Sequence, residues 1–243
     1  MPRFFVKKDD IAGDALFIRG EDAYHIARSL RMAVGDSLTV SDGEGLELSC
    51  RLTKIRDEAC ECEIIESRMG ESESPVDITL FMAYPKGDKL ETVIQKAVEL
   101  GARTIVPFES SRCIKRPKAE KLDKQLLRLS RIAREAAGQC ARSRLPRVLA
   151  PISFSDMISE AGRSEIALFC YEGESCVSIK DALRAVKPAS VSVIVGSEGG
   201  FSEAEAKMAR EGGLIPVSLG KRILRCETAP AFALSSVAYE FEI

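Results

Sequence analysis

Histidine occurs once in this chain of 243 residues, tryptophan not at all, and aromatic side chains make up only 6%. No apolar run approaches the roughly 18–20 residues that cross a bilayer. The longest uncharged stretch, Thr228–Tyr239, is diluted by proline, serine and threonine. The opening MPRFFVKKDD has no apolar signal-peptide core, so a cytoplasmic protein without a membrane partner is expected. Eight cysteines are present without one CxxC pair, and the single histidine leaves zinc-type spacing absent. Incidental thiols, and no metal, are the expectation. G-x-x-x-x-G-K-[ST], G-x-G-x-x-G after a strand and the G-x-S-x-G nucleophile elbow are all missing. These absences point away from P-loop, standard dinucleotide and hydrolase-triad chemistry.

What is present is a globular balance of 45% hydrophobic and 30% charged residues. The formal net charge of −2 hides an asymmetry. Residues 1–70 carry 10 Lys/Arg and 14 Asp/Glu, whereas residues 112–147 carry 12 Lys/Arg against Glu120, Asp123 and Glu135. One strongly basic segment in a near-neutral chain suggests a polyanion partner.

The first seventy residues read as β-rich, with short strands at Ala15–Arg19, Ser37–Val40, Leu46–Lys54 and Ala59–Ile65. One helix, Asp22–Met32, interrupts them, and a small β-barrel is their natural closure. The polar, Pro/Gly-punctuated stretch from Arg68 to Pro75 reads as a linker between a domain at 1–70 and another at 76–243. Beyond it, apolar strands at Val76–Tyr84, Thr104–Phe108, Ile166–Tyr171 and Val191–Gly196 alternate with helices at Leu90–Leu100 and Ala119–Ala141. That alternation predicts an α/β fold with a parallel sheet covered on both faces. In the long helix, Leu122, Leu126, Leu129, Ala133 and Ala136 recur at spacings of four and three. Lys121, Lys124, Arg128, Arg131 and Arg134 fall on roughly the opposite side, with Pro117 before them and Arg142, Arg144 and Arg147 after. A solvated face explains such charge, but few acidic residues sit at helical spacing, which favours a phosphate-backbone surface.

Two C-terminal segments carry the chemistry. Val193-Ile-Val-Gly-Ser-Glu-Gly-Gly-Phe-Ser202 runs a buried strand into a turn with three glycines around one acid. Ser202 and Glu205 then form a capping-box pattern. Glycines at a strand's carboxyl end admit close ligand approach, where open α/β sheets bind ligands. Val217-Ser-Leu-Gly-Lys-Arg-Ile-Leu-Arg-Cys-Glu-Thr-Ala229 joins a short strand to the last helix, which has Pro230 at its start. Its dense charges in an apolar neighbourhood make it a plausible site.

The pair IVGSEGGFSEAE and LGKRILRCETA resembles the SPOUT methyltransferases, and within them the RsmE family of 16S ribosomal RNA uridine N3-methyltransferases. Met1-Pro-Arg-Phe-Phe5, His25-Ile-Ala-Arg-Ser-Leu-Arg31, Lys86-Gly87 and Lys96-Ala-Val-Glu-Leu-Gly101 extend the resemblance over nearly the whole chain. Two positions depart from the family pattern: Ser197 stands where proline is usual, and Cys226 where threonine is usual. A slightly looser turn is expected from them.

The resemblance implies a PUA-like RNA-binding β-barrel followed by a SPOUT α/β domain with a C-terminal trefoil knot, an arrangement general rules disfavour. It also implies S-adenosylmethionine as methyl donor, an obligate homodimer, and 16S ribosomal RNA or the small ribosomal subunit as partner. By resemblance the donor lies on Gly196, Glu198, Gly199, Leu219, Gly220, Ile223 and Leu224. Uridine N3 carries a weakly acidic proton and no in-plane lone pair, so removing that proton needs help. Arg225 is the candidate that eases formation of the anion, and Glu198 or Glu227 the proton acceptor. For Glu227, complementarity to a helix N-terminus is an equal explanation. Arg3, His25, Arg28 and Arg31 are candidate RNA guides, with a structural role open for His25. A non-catalytic assembly factor would need neither C-terminal segment, and MPRFF and HIARSLR favour base methylation over an enzyme acting on transfer RNA or a ribose hydroxyl.

Overall fold

The computed structural model describes residues 2–114, 119–173 and 176–243. Pro117 and its basic neighbours Lys115, Arg116 and Lys118 lie outside the described residues, as does Met1. The chain divides into two compact units, residues 1–73 with 137–145, and residues 74–136 with 146–243.

In the first unit, β1 (Arg3–Phe5), β2 (Ile11–Ala12), β3 (Ala15–Arg19), β4 (Ser37–Ser41), β5 (Leu46–Ile55) and β6 (Ala59–Met69) form one sheet in the order β1-β4-β5-β6-β3-β2. Alternating inward residues such as Leu16, Ile18, Leu38, Val40, Leu48 and Leu52 wrap one apolar core. Cys50 and Cys62 belong to it, and burial pushes both thiols up to about 12. Helix α1 (Glu21–Tyr24) runs into a π-turn at His25–Ser29, so the helical stretch ends short of the expected Met32. Arg31 follows at φ +50.

The polar stretch from Arg68 to Pro75 is more ordered than its composition suggests. Arg68 and Met69 still belong to β6, and the Glu73 carboxylate accepts hydrogen bonds from Arg142 Nη2 at 2.7 Å and from the main-chain N–H groups of Ser143 and Arg144 at 2.9 Å each. Arg3 bonds Glu47 at 2.5 Å and donates to the Arg142 carbonyl at 3.3 Å. These contacts stitch residues 137–145 into the first unit. A side chain on Gly70 would collide with Ser143, which explains the glycine there.

The second unit holds β7 (Asp77–Ala83), α2 (Lys89–Glu99), β8 (Thr104–Phe108), α3 (Leu122–Gln139, its last turn counted in the first unit), β9 (Arg147–Val148), α4 (Phe154–Ala161), β10 (Ile166–Cys170), β11 (Val177–Ser178), α5 (Ile179–Arg184), β12 (Ser190–Val195), α6 (Glu203–Glu211), β13 (Ile215–Ser218) and α7 (Thr228–Phe241). Its seven-stranded sheet has the order β11-β13-β10-β12-β7-β8-β9, and every pairing is parallel. β7 and β12 are buried almost end to end, as a sheet covered on both faces requires. The order in which strands are added reverses between β7 and β12, because β8 and β9 extend one way and β10, β13 and β11 the other. Helix α7 leaves β13 yet packs on β12, α2 and α5.

Helix α3 ends at Gln139, two residues before the expected Ala141, which sits at φ +62. Leu129, Ala133 and Ala136 of its apolar stripe are buried, and Leu122 and Leu126 are half-buried. Helix α4 and the short strands β1, β2, β9 and β11 were not foreseen, whereas α5 falls in the helix-like sequence expected after Ile166–Tyr171.

Burial opposes the charge on Glu73, but Arg142 and the two amides outweigh it and hold the carboxyl below its ordinary range. A depressed acid stabilises the fold fully above its unfolded pKa, about 4.3, and loses that contribution as pH falls through the folded value. Glu73→Gln is therefore expected to flatten the acid side of the urea-denaturation stability profile. Arg142→Met, which strands the Glu73 charge, is expected to cost about 3–5 kcal/mol at neutral pH by the same measurement.

Candidate active site

The reversal of strand order marks where an open α/β sheet forms a crevice. On the β12 side of that reversal, the loops after β10, β12 and β13 enclose a cleft of about 580 Å³, a volume typical of small-molecule sites, with Lys89 and Arg112 reaching it from the other side. The second unit supplies all of its lining.

After Val195 the chain turns tightly, with the Gly200 N–H bonding the Ser197 carbonyl at 2.9 Å and Gly200 at φ +62. A Cβ on Gly196 would stand 3.1 Å from Gly200 Cα and 3.2 Å from the Phe201 ring, and one on Gly199 would stand 3.0 Å from Arg112 Cβ. The two glycines thus keep backbone at the cleft surface. Phe201 anchors the turn from below, 4.3 Å from the Phe169 ring and stacked on Phe108. The Ser202–Glu205 capping box is formed as expected. Buried Glu205 also accepts Ser111 N–H at 2.7 Å, tying the loop after β8 to this turn. From that loop Arg112 donates to the Gly199 carbonyl at 2.9 Å.

The second wall runs from β13 through Gly220, at φ +112, to α7. The Arg225 carbonyl accepts from Thr228 and Ala229 N–H at 2.9 Å each, which fixes the turn into the helix. Arg225 is exposed at the cleft, and Ile223 is 85% exposed beside it.

Lys89, the first residue of α2, joins the walls. Its ammonium lies 3.1 Å from Glu198 Oε1, 3.2 Å from Glu227 Oε2 and 3.6 Å from Cys226 Sγ. Glu198 also accepts the Lys86 N–H at 3.1 Å. Hydrogen bonding to Glu198, and then to Glu227, raises the Lys89 pKa despite some desolvation. Burial opposes the Glu198 charge, yet its own N–H, Lys89 and Lys86 keep its carboxyl below the usual range. Glu227 is lowered by its own N–H, the Cys226 thiol and Lys89. Burial, followed by the hydrogen bond to Glu227, pushes the Cys226 thiol up to about 12, so it is a protonated S–H donor.

Gly196, Glu198, Gly199, Leu219, Gly220, Ile223 and Leu224 all line the cleft, as does Arg225. Glu227 stands behind Cys226 and outside the lining. Lys89, Arg112 and Tyr171 line the cleft without having been singled out by the sequence. Among the candidate RNA contacts, Arg3 is half-buried and its guanidinium pairs with Glu47 within the first unit. His25 is exposed and packs edge-on against Phe4, Arg28 pairs with Asp57 at 2.6 Å, and Arg31 is exposed. Lys121, just before α3, and Lys124 on it are exposed, and Arg134 is half-buried. Arg128 bonds Glu91 at 2.9 Å and Arg131 bonds Glu135 at 3.0 Å, so acidic partners are nearer than the helical spacing suggested. Among the described residues no group of three or more acidic, cysteine or histidine side chains is placed to hold a metal ion, and no helix is long and apolar enough to cross a membrane.

Residues 72–238 match the family model of the RNA methyltransferase domain, and residues 18–65 that of the RNA methyltransferase PUA domain. The chain is 34% identical to ribosomal RNA small subunit methyltransferase E of Bacillus subtilis, over 100% of this chain and 98% of that protein. Identity to the protein of the same description from Synechocystis is 32%, over 97% and 76%. The crystal structure of a ribosomal RNA small subunit methyltransferase E from Neisseria gonorrhoeae, bound to S-adenosyl methionine, superimposes with a TM-score of 0.86 at 30% identity, covering 98% of this chain and 97% of that one. The chain belongs to the RNA methyltransferase family that includes ribosomal RNA small subunit methyltransferase E, an enzyme family with the SPOUT α/β fold and an N-terminal PUA domain.

Gly196→Ala is expected to cost about 1–3 kcal/mol in chemical denaturation, because the methyl must displace the Gly200 backbone or the Phe201 ring.

Proposed function

We propose that this protein transfers the methyl group of S-adenosylmethionine to N3 of a specific uridine in 16S ribosomal RNA during maturation of the small subunit. The observation that carries the reading is a backbone-lined cleft at the carboxyl ends of β10, β12 and β13, with an exposed arginine on its rim, in a chain of this family.

The cleft suits the donor by its chemistry. Glycines at 196, 199 and 220 leave main-chain groups for adenine and the amino-acid part, while Leu219, Ile223 and Leu224 offer apolar cover. Bound there, the donor supplies a sulfonium methyl that is already electrophilic. The protein's share is alignment and handling of one proton. Arg225 stabilises charge as the uracil N3 proton leaves. Glu198 lines the cleft and accepts that proton, while Glu227, held behind Cys226, steadies the wall. A carboxylate held at low pKa is a weak base, so Arg225 carries the larger part of the activation.

RNA contacts are assigned to His25, Arg28 and Arg31 of the first unit and to Lys121, Lys124, Arg128, Arg131 and Arg134 of the second. The protein works in the cytoplasm as a homodimer, without a metal or a membrane.

Incubation with labelled donor and immature small subunits, followed by mapping of the modified nucleoside, tests the reading; 3-methyluridine at one position is expected. Arg225→Ala is expected to lower transfer at least about a hundredfold with donor affinity nearly unchanged, and full transfer in this variant overturns its role. RNA affinity is expected to fall steeply with salt, and Lys121→Ala with Lys124→Ala to reduce the logarithmic salt slope by about 1–2. A flat salt response rules out the basic face of α3 as the RNA surface.

A further inference from the structure

The two walls of the cleft leave strands that are not neighbours, since β10 lies between β12 and β13. No ladder of main-chain hydrogen bonds can therefore join the turn at Gly196–Gly200 to the segment at Leu219–Thr228. Each wall nonetheless sends a carboxylate, Glu198 and Glu227, to the same point, and two such charges repel. Lys89 occupies that point, 3.1 Å from one and 3.2 Å from the other. Its root is rigid, because Leu90, Val93 and Ile94 bury the first turns of α2. Building on the proposed function, we infer that Lys89 is a positioning residue: its ammonium clamps the two walls of the donor cleft together through Glu198 and Glu227, and thereby sets where Arg225 stands.

The groups facing one another here come from three elements. Lys89 and the Lys86 N–H lie at the start of α2 and just before it, Glu198 follows β12, and Cys226 and Glu227 precede α7. Lys89 is raised and both carboxylates are lowered, so all three are charged across the neutral range. The clamp is thus insensitive to pH in the intact protein. Without the ammonium, two carboxylates face each other at neutral pH and push the walls apart. Acid then protonates one of them and relieves the repulsion.

The test measures affinity for S-adenosylhomocysteine, the unreactive demethylated donor, from pH 5 to 8.5. Wild type is expected to bind with little pH dependence. Lys89→Met is expected to bind about tenfold more weakly at pH 7.5 and to recover toward pH 5, with KM for the donor rising more than kcat falls. Lys89→Arg keeps the charge and is expected to stay within about threefold of wild type at every pH. The clamp is overturned if Lys89→Met binds like wild type throughout, or if both variants are weakened equally at all pH values. Should wild type itself bind no S-adenosylhomocysteine, the methyltransferase reading fails. Hydrogen exchange then tests the clamp alone, with Lys89→Met expected to speed exchange in residues 196–200 and 219–227 together. If Lys89→Met does not fold, Glu227→Gln removes one arm and is expected to speed exchange in 219–227; unchanged exchange there overturns the clamp.

Discussion

Every strand of the second unit's sheet runs the same way, and the site depends on that constraint. Parallel strands cannot be joined by tight hairpins, so each crossover leaves from the carboxyl edge and returns through a helix. The loops after β7, β8, β10, β12 and β13 are thereby gathered along one edge, and the reversal between β7 and β12 leaves a gap among them. Burying both sheet faces supplies the stability, with strands such as Ile78–Ala83 and Val191–Val195 almost without exposure. The carboxyl edge can then carry features that stabilise nothing, among them three glycines in one turn and an exposed Ile223.

Electrostatics at that edge are balanced locally. Lys89 answers Glu198 and Glu227, while Glu205 is satisfied by Ser111 and its own capping box. Arg225 is left exposed at the cleft, the charge that the proposed function gives to the uracil. The two departures from the family pattern fit this scheme. Cys226, where threonine is usual, keeps a donor because its thiol stays protonated and points at Glu227 Oε2, 3.2 Å away. Ser197, where proline is usual, is buried with its hydroxyl 3.5 Å from the Arg112 carbonyl, a contact proline could not make. Each replacement retains or adds a polar tie, which argues against the looser turn expected from sequence.

Much of the sheet was legible because its strands are apolar runs bounded by glycine or proline. Thr104–Phe108 was read to the residue, and Ile166–Cys170 within one. The capping box and both cleft-forming segments were legible too, since their signals lie within a few adjacent residues. The two-residue strands β9 and β11 were not, because they exist through the neighbour they pair with. Lys89 failed to stand out for the same reason: its contacts lie far along the chain, Cys226 being 137 residues away. The Arg3 pair was hidden in the same way, since Glu47 lies 44 residues on.

That lesson bears on the basic helix, where ion pairs also reduce what the sequence alone suggests. Arg128 and Arg131 each hold a carboxylate, but both guanidinium groups are well exposed, at 65% and 64%. Exposed pairs contribute about 0–1 kcal/mol, so they restrain the arginines weakly. A phosphate accepts the same forked hydrogen bonds as a carboxylate, and its binding releases condensed counterions besides. Exchange of Glu91 or Glu135 for a phosphate oxygen therefore costs little. Arg3 differs because its partner Glu47 is itself buried and is shared with Arg68, 3.5 Å from its other oxygen, and a buried pair is screened less than an exposed one. The depth of the acidic partner, more than the presence of a pair, sets how firmly an arginine is held.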